Sequence, residues 1–283
     1  MNPKLTPGEF NRIQGFIEKN CGISLTEDKV YLIECRLSGI ILESGFPDYD
    51  AFFLAAQGDP VLMERIIDAI TTNETLWFRD QSPWLILERV LIPEYIRMLR
   101  HNEASKIRIW SAGCSTGQEP YSIAMSIDHY LTRNNISDIS LASFEILASD
   151  ISRSALASAR AGQYDNIAIT RGLDDSYRNV YFKNNHHVWT IEDRIRNAVT
   201  FKPFNLQHDF FGLGEFDLIF CRYTLIYFSD SLKKHVLSKI SQSLKENGVL
   251  LIGSSELIMD YSRYFCLEQC EGGVLYHRKG NTG

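Results

Sequence analysis

The spacing of apolar residues over the first 80 positions predicts an all-helical region. Apolar side chains recur every three or four residues from Phe10 to Ile17, and Thr6 with Glu9 has the spacing of a capping box at a helix start. A second helix is expected from about Thr26 to Glu43, and two shorter ones in DAFFLAAQ and PVLMERIIDAIT. No pattern typical of a strand occurs before residue 105, so we expect a helical unit at this end.

The pattern then changes to strands that alternate with helices. Short apolar stretches typical of strands are KIRIWSA, FEILASD, FDLIFCR and VLLIGSS, and amphipathic helical stretches separate them. This alternation predicts βαβ units and a mostly parallel sheet that is covered on both faces. In the tail, two strand-like stretches flank Glu271-Gly272-Gly273, which predicts a hairpin at an antiparallel edge of the sheet.

One segment, at about residues 165–203, interrupts the alternation. Its second part, HHVWTIEDRIRNAVTFKP, is rich in β-branched and aromatic residues. We interpret it as short antiparallel strands of a small inserted β subdomain, in preference to a long loop.

Charge and cysteine content restrict the classes of function. Residues 1–80 carry seven Lys or Arg and thirteen Asp or Glu, a net charge of −6, whereas the remainder is neutral. An acidic front region argues against a nucleic-acid partner, which requires a basic face, and the change in charge suggests a domain boundary near residue 80.

The six cysteines are scattered without metal-binding spacing, so we expect reduced thiols and no metal site. Without an apolar run of about 18 residues or a signal pattern, we expect no membrane insertion and a cytoplasmic location.

The loop GCSTG, residues 113–117, contains the G-x-S-x-G spacing of a hydrolase nucleophile elbow. Downstream acid and histidine candidates are poor triad partners, because His235 lies in the middle of a predicted helix. The loop also lacks the third glycine of a dinucleotide-binding loop. Glu119, at the start of the following helix, would repel phosphate and attract a cation. The loop therefore favours a cofactor with a positive end and no phosphate.

Asp150 ends the strand ILASD, where a carboxylate can accept hydrogen bonds from ribose hydroxyls. The alternative interpretation of Asp150 is an N-cap of the next helix. A cationic, ribose-containing cofactor without phosphate is S-adenosylmethionine, and the aromatic ring of Tyr227 is available to a sulfonium.

Six motifs occur together in one order and carry a family resemblance. They are TTNETLWFRD (71–80), IWSAGCSTGQEPYSIAM, ILASDISRSALASARAGQY, FKPFNL, FDLIFCRYTLIYF and GVLLIGSSE. In this combination the chain resembles the chemotaxis receptor methyltransferases, the CheR family, over nearly its whole length.

The resemblance implies a fold, a reaction and partners. The fold is α/β: a class I, Rossmann-like methyltransferase with a mostly parallel seven-stranded sheet, an antiparallel edge hairpin, a small inserted antiparallel β subdomain and an all-helical N-terminal domain. Residues 1–80 would recognise the receptor, and residues 81–283 would bind S-adenosylmethionine. The reaction would methylate glutamate carboxylates on the cytoplasmic helical region of chemoreceptors, for sensory adaptation, and would release S-adenosylhomocysteine.

The resemblance also implies site residues. Arg79 and Tyr227 are expected at the acceptor carboxylate, and Glu119 near the methionine amino group of the cofactor. Asp150 is expected on its ribose and Asn205-Leu206 by its adenine. The remaining residues expected to border the cofactor are Asn73, Thr75, Gly113, Arg222 and Tyr223, with Arg79 shared between cofactor and acceptor.

Three features depart from the family pattern. Most relatives have Asn at the position of Tyr223, so cofactor affinity or pocket shape is expected to differ. The helical domain is acidic where relatives are often basic, which predicts weaker electrostatic steering onto an acidic receptor. The turn in YFKNNHHVWTIEDR looks short and contains no glycine, so we expect the β subdomain not to bind a receptor C-terminal pentapeptide by strand addition. We expect a monomer.

Two alternatives remain open at this point. One is a methyltransferase with another acceptor. The other is a non-catalytic adaptor that binds S-adenosylmethionine or its demethylated product, which the ring at Tyr223 keeps in consideration.

Overall fold

A computed structural model describes residues 5–256 and 261–279. The chain begins with four helices, α1 (Pro7–Cys21), α2 (Val30–Glu43), α3 (Tyr49–Ala56) and α4 (Pro60–Ile70). The capping box is present, because the Thr6 hydroxyl accepts from the Glu9 amide and the Glu9 carboxylate accepts from the Thr6 amide. The helix expected from Thr26 consists of a 3₁₀ turn, Glu27–Lys29, followed directly by α2.

These four helices surround a hydrophobic cluster of their own. Its fully buried members include Ile17, Ile33, Leu37, Tyr49 and Phe52, one or two from each of the first three helices. Helix α4 adds Ile66 and Ile70 at helical spacing. Burial of a large apolar side chain contributes roughly 1.5–3 kcal/mol, so this cluster stabilises the helical region substantially.

Helices α5 (Ser82–Ile86) and α6 (Ile92–Arg100) are joined by a π-helical turn, Leu87–Leu91, and precede the main sheet. The strands of the second half in chain order are β1 (Ile107–Ala112), β2 (Phe144–Asp150), β3 (Gln163–Tyr164), β4 (Phe182–Asn185), β5 (Val188–Ile191), β6 (Val199–Pro203), β7 (Phe216–Phe220), β8 (Leu244–Leu251), β9 (Phe265–Cys270) and β10 (Gly273–Arg278). The helices between them are α7 (Gln118–Arg133), α8 (Arg153–Ala161), α9 (Asn166–Thr170), α10 (Asp175–Tyr181), α11 (Asp193–Arg196) and α12 (Asp230–Gln242).

Seven strands form the main sheet in the order β6-β2-β1-β7-β8-β10-β9. The pairs from β6 to β8 are parallel, and β10 pairs antiparallel with both β8 and β9. The predicted sheet and its edge hairpin are confirmed. The chain runs outward from β1 to β6 and then returns to β7, so the order reverses between β1 and β7. Ligands of open α/β sheets bind at such a reversal, beyond the carboxyl ends of the strands.

The central strands of the sheet, β1 and β7, are buried on both faces, as is typical of a parallel arrangement. Neighbouring residues of β1 point to opposite sides: Ile109 belongs to the cluster that contains α6 and α7, and Trp110 to the cluster that contains α12. Both side chains are fully buried.

The insertion contains a separate antiparallel sheet of three strands in the order β3-β5-β4, together with α9, α10 and α11. Part of the sequence interpretation was wrong here. The stretch VTFKP is β6, which pairs parallel with β2 and forms the edge of the main sheet. Its alternating pattern fits either sheet, and only long-range pairing decides between them. Strands β4 and β5 are joined by His186-His187, both at positive φ. The division of the chain at residue 80 stays a prediction.

Candidate active site

A cavity lies beyond the carboxyl ends of β1 and β2, next to the point between β1 and β7 where the strand order reverses. Residues from six separated stretches of the chain line it, including the segment 71–79 and the loop after β6. All the residues expected at the site are among them: Asn73, Thr75, Arg79, Gly113, Glu119, Asp150, Asn205, Leu206, Arg222, Tyr223 and Tyr227. The structure therefore brings together residues up to about 150 positions apart in the chain.

The loop after β1 forms one wall of the cavity. Gly113 has a φ of +85°, and a Cβ at this position would lie 2.3 Å from Oγ1 of Thr224, so the tight approach requires glycine. The Ser115 hydroxyl donates to the carbonyl of Asn73 at 3.0 Å and its amide donates to Asp150 at 2.7 Å. Ser115 thus joins the loop to segment 71–79 and to β2, which agrees with the prediction of a cofactor-binding loop.

Asp150 stands at the end of β2 and is 9% exposed. One carboxylate oxygen accepts from the amide of Ser115 and the other accepts from the amide of Ser152 at 2.9 Å. Burial raises the pKa of Asp150, although its backbone hydrogen bonds act in the opposite direction. The N-cap of α8 is Ser152, whose hydroxyl accepts from the amide of Ala155, so the alternative assignment of Asp150 as the cap is wrong.

A buried arginine links two carboxylates at the edge of the cavity. Nη1 of Arg222 lies 2.9 Å from Glu119, and Nη2 lies 2.8 Å from Asp80. The Arg222 side chain is only 2% exposed, so both ion pairs are shielded from water. Glu119 also accepts from the Ser111 hydroxyl at 2.8 Å. Glu119, which the sequence analysis treated as an isolated negative charge, is therefore part of a network centred on Arg222. No sequence pattern indicated that Asp80 belongs to this network.

Arg79 stacks on the ring of Tyr223, with Cζ 3.5 Å from the ring centroid. Its guanidinium donates to the carbonyl of Glu74 at 3.3 Å. Within residues 5–256 and 261–279 it forms no ion pair, and Asp80 is engaged by Arg222 instead. A guanidinium held this way can still bind a carboxylate from outside the chain.

The helical region also contributes to the cavity, which the sequence did not predict. Cys21 and Ile23, at the end of α1 and just beyond it, are lining residues. The Asn205 side chain donates to the carbonyl of Asn20 at 2.8 Å, and the amide of Ser24 donates to the carbonyl of Tyr227 at 2.8 Å. These polar contacts join segments about 200 residues apart, so no local pattern could have indicated them.

The loop that carries Asn205 and Leu206 is held by a buried lysine. Lys239 of α12 donates from Nζ to the carbonyls of Leu206, Gln207 and His208 at 3.1, 2.9 and 2.7 Å. The three ammonium protons are thereby satisfied. Burial lowers the pKa of Lys239.

The residues present fit a nucleoside with a charged amino-acid arm. Phe204, Leu206 and Ile151 give the lining an apolar part suited to a base, and Asp150 can accept further hydrogen bonds on its free lone pairs. The Glu119–Arg222 pair offers both signs of charge to a zwitterion. No cluster of three or more His, Cys, Asp or Glu suited to a metal ion occurs in the part of the chain that the structure describes.

Two family models cover almost the whole chain. Residues 8–71 match the all-alpha domain of CheR methyltransferases, and residues 73–274 match their SAM-binding domain. The chain belongs to the CheR methyltransferase family. It is therefore an S-adenosylmethionine-dependent methyltransferase, and the resemblance deduced from its motifs is confirmed.

Individual relatives are similar over nearly their full length. The methyltransferase is 39% identical over 274 residues to the "Chemotaxis protein methyltransferase Cher2" of Pseudomonas putida, with 96% of this chain and 98% of the relative covered. It is 38% identical to the "Chemotaxis protein methyltransferase 1" of Pseudomonas aeruginosa, with the same coverage. Among the described residues, no helix is long and apolar enough to span a bilayer.

Proposed function

We propose that this methyltransferase esterifies glutamate side chains on the cytoplasmic helical region of chemoreceptors, as part of sensory adaptation. The observation that carries the proposal is the state of Arg79. Its guanidinium lines the same cavity as Tyr227, Glu119 and Asp150, and it has no carboxylate partner within the described residues. A glutamate of an acceptor protein would provide that partner. The proposed acceptor implies a cytoplasmic location.

The reaction needs orientation more than proton transfer. A glutamate carboxylate, with a pKa near 4.3, is already anionic at neutral pH and requires no general base. S-adenosylmethionine supplies an electrophilic methyl group whose bond to sulfur breaks with both electrons left on sulfur. The chain must place one carboxylate oxygen in line with that bond, and good orientation can remove about 7–11 kcal/mol of barrier. Arg79 would hold the other oxygen, with Tyr227 beside it.

The rest of the lining would bind the methyl donor. We assign Asp150 to the ribose hydroxyls, and the Glu119–Arg222 pair to the amino-acid arm. Asn205 and Leu206 would border the adenine, although the Asn205 amide is already used on the end of α1. The residues assigned to the remaining edge of the donor are Asn73, Thr75, Gly113 and Tyr223.

The proposal includes two further points about partners. The protein would act as a monomer on its receptor. The β subdomain would not bind a receptor C-terminal pentapeptide, because β4 and β5 are joined by the two-residue turn His186-His187, which leaves no extended loop to support an added strand. Calorimetric titration with such a pentapeptide tests the second point, and clear micromolar binding would contradict it. Sedimentation velocity tests the first.

The central experiment measures base-labile label transferred from methyl-labelled S-adenosylmethionine to receptor-containing membranes. We expect Arg79→Ala to lower kcat/KM by about 10- to 100-fold, because the variant loses the free energy of a hydrogen bond between charged groups. Tyr227→Phe should lower it less. The matched controls are Arg89→Ala and Tyr130→Phe, which change side chains outside the cavity and outside the helical region 1–80.

The remaining rival function predicts another result. A methyltransferase with a different acceptor would label other proteins and leave receptors unmodified. If Arg79→Ala and Tyr227→Phe both match their controls, the assignment of these residues is refuted.

A further inference from the structure

We infer that Tyr223 is a positioning residue, whose ring holds the Arg79 guanidinium in place to receive the acceptor carboxylate. This inference rests on the proposed function, because it concerns the same carboxylate. It gives Tyr223 a role beyond bordering the methyl donor.

The stacking geometry leaves the hydrogen-bonding edge of Arg79 available. With Cζ 3.5 Å from the ring centroid, the guanidinium lies against the face of Tyr223. A face-stacked guanidinium keeps its N–H groups directed outward in its own plane, where a carboxylate can approach. Only the bond from Nη1 to the Glu74 carbonyl, at 3.3 Å, occupies that edge among the described contacts.

The ring itself is held rigidly. Tyr223 has a φ of +56°, and its amide donates to the buried carboxylate of Glu256 at 2.6 Å. Its hydroxyl contacts both oxygens of Asp80, at 2.9 and 2.8 Å. A Cβ on Gly253 would lie 2.9 Å from the ring, so glycine there leaves the space that the ring fills. Tyr223 therefore has a backbone conformation that L-residues rarely adopt, and hydrogen bonds hold both its amide and its hydroxyl. Such strained, well-held residues cluster at functional sites.

The hydroxyl of Tyr223 also affects the competition for Arg79. Asp80 is adjacent in sequence and would be an obvious partner, but Arg222, the Tyr223 hydroxyl and the amide of Ser254 already bind it. Burial acts to raise the pKa of Asp80, but these contacts hold it below its usual value, so Asp80 is anionic at neutral pH. Without the ring, Arg79 could turn to this carboxylate and lose its affinity for the acceptor.

The test replaces Tyr223 in the full-length protein. Tyr223→Asn removes the ring and suits the left-handed backbone, because Asn tolerates that conformation better than other residues. Tyr223→Phe keeps the ring and removes only the hydroxyl. For Tyr223→Asn we expect the KM for receptor-containing membranes to rise roughly 5- to 30-fold, as loss of a partly desolvated cation–π contact implies. The Kd of S-adenosylhomocysteine, measured by calorimetry for Tyr223→Asn, should rise by a factor at least five times smaller than that of the acceptor KM. Tyr223→Phe should have an acceptor KM close to that of the unsubstituted protein.

A double-mutant cycle separates this inference from the proposed function. If the ring acts through Arg79, the Tyr223→Asn/Arg79→Ala variant is no worse in acceptor kcat/KM than Arg79→Ala alone. Additive losses, or an increase in the Kd of S-adenosylhomocysteine as large as the increase in acceptor KM, would overturn the inference while the proposed function stands. An Arg79→Ala variant with unchanged activity would overturn both.

Discussion

Replacement of Lys239 by methionine tests whether the loop around Leu206 is held by a single buried cation. The substitution keeps the length and apolar stem of the side chain but removes the ammonium group. The carbonyls of Leu206, Gln207 and His208 then lose a donor at 2.7–3.1 Å. Leu206 and Lys239 are 6% and 8% exposed, so water cannot simply replace the lost bonds.

The expected loss of stability follows from those bonds. A hydrogen bond to a charged group contributes about 1.5–3 kcal/mol, but Lys239 also loses the penalty of burying its charge. The more exposed carbonyls of Gln207 and His208 can partly rehydrate. We therefore expect the free energy of unfolding to fall by about 2–4 kcal/mol, which for a chain of this size lowers Tm by roughly 3–7 °C. The Kd of S-adenosylhomocysteine should rise about three- to tenfold, because the loop is no longer preorganised.

Urea unfolding and calorimetry measure the two effects. The matched control is Lys233→Met on the same helix, whose ammonium pairs with the exposed Asp230, so its effect should stay within about 0.5 kcal/mol. If the free energies of unfolding of Lys239→Met and Lys233→Met agree within that margin, the loop does not depend on the ammonium group and the reasoning is refuted.

Three further predictions concern the loop after β1, an acidic group and the thiols. Gly113→Ala should abolish detectable binding of S-adenosylhomocysteine in calorimetry, because the new Cβ meets Thr224 at 2.3 Å, and adding Thr224→Ala should restore part of the affinity. No restoration would contradict the steric explanation. Burial tends to raise the pKa of Asp80, but its hydrogen bonds lower it, so Asp80 stabilises the fold above its unfolded pKa of about 3.9 and loses this effect as pH falls. In urea unfolding, Asp80→Asn should lower the free energy of unfolding by its full amount at pH 7 and by less below about pH 4. A loss of unfolding free energy that is independent of pH would contradict this. Burial raises the pKa of Cys21 to about 12, so iodoacetamide at pH 8 should modify the exposed Cys35 well before it, as followed by mass spectrometry. Equal rates would mean that the end of α1 opens readily.

The sequence determined most of the secondary structure, because the signals for it are local. Helical spacing with a capping box gave α1, and short apolar strands between amphipathic helices gave a parallel sheet. It failed for VTFKP, since alternation within five residues is the same in a main-sheet edge strand and in a small antiparallel sheet. The choice depends on pairing with β2, about 50 residues earlier.

The residues that line the cavity were predictable as a set, because ordered motifs carried the family resemblance and every expected residue is among them. Their roles in binding and catalysis stay predictions. The sequence could not give the relations between them. Only the tertiary structure places the Tyr223 ring under Arg79, gives Asp80 to Arg222, and joins the end of α1 to Asn205. These contacts connect segments roughly 140–185 residues apart. Composition and periodicity report which side chains are buried or exposed, whereas the partner of each charged group is set by how distant segments pack.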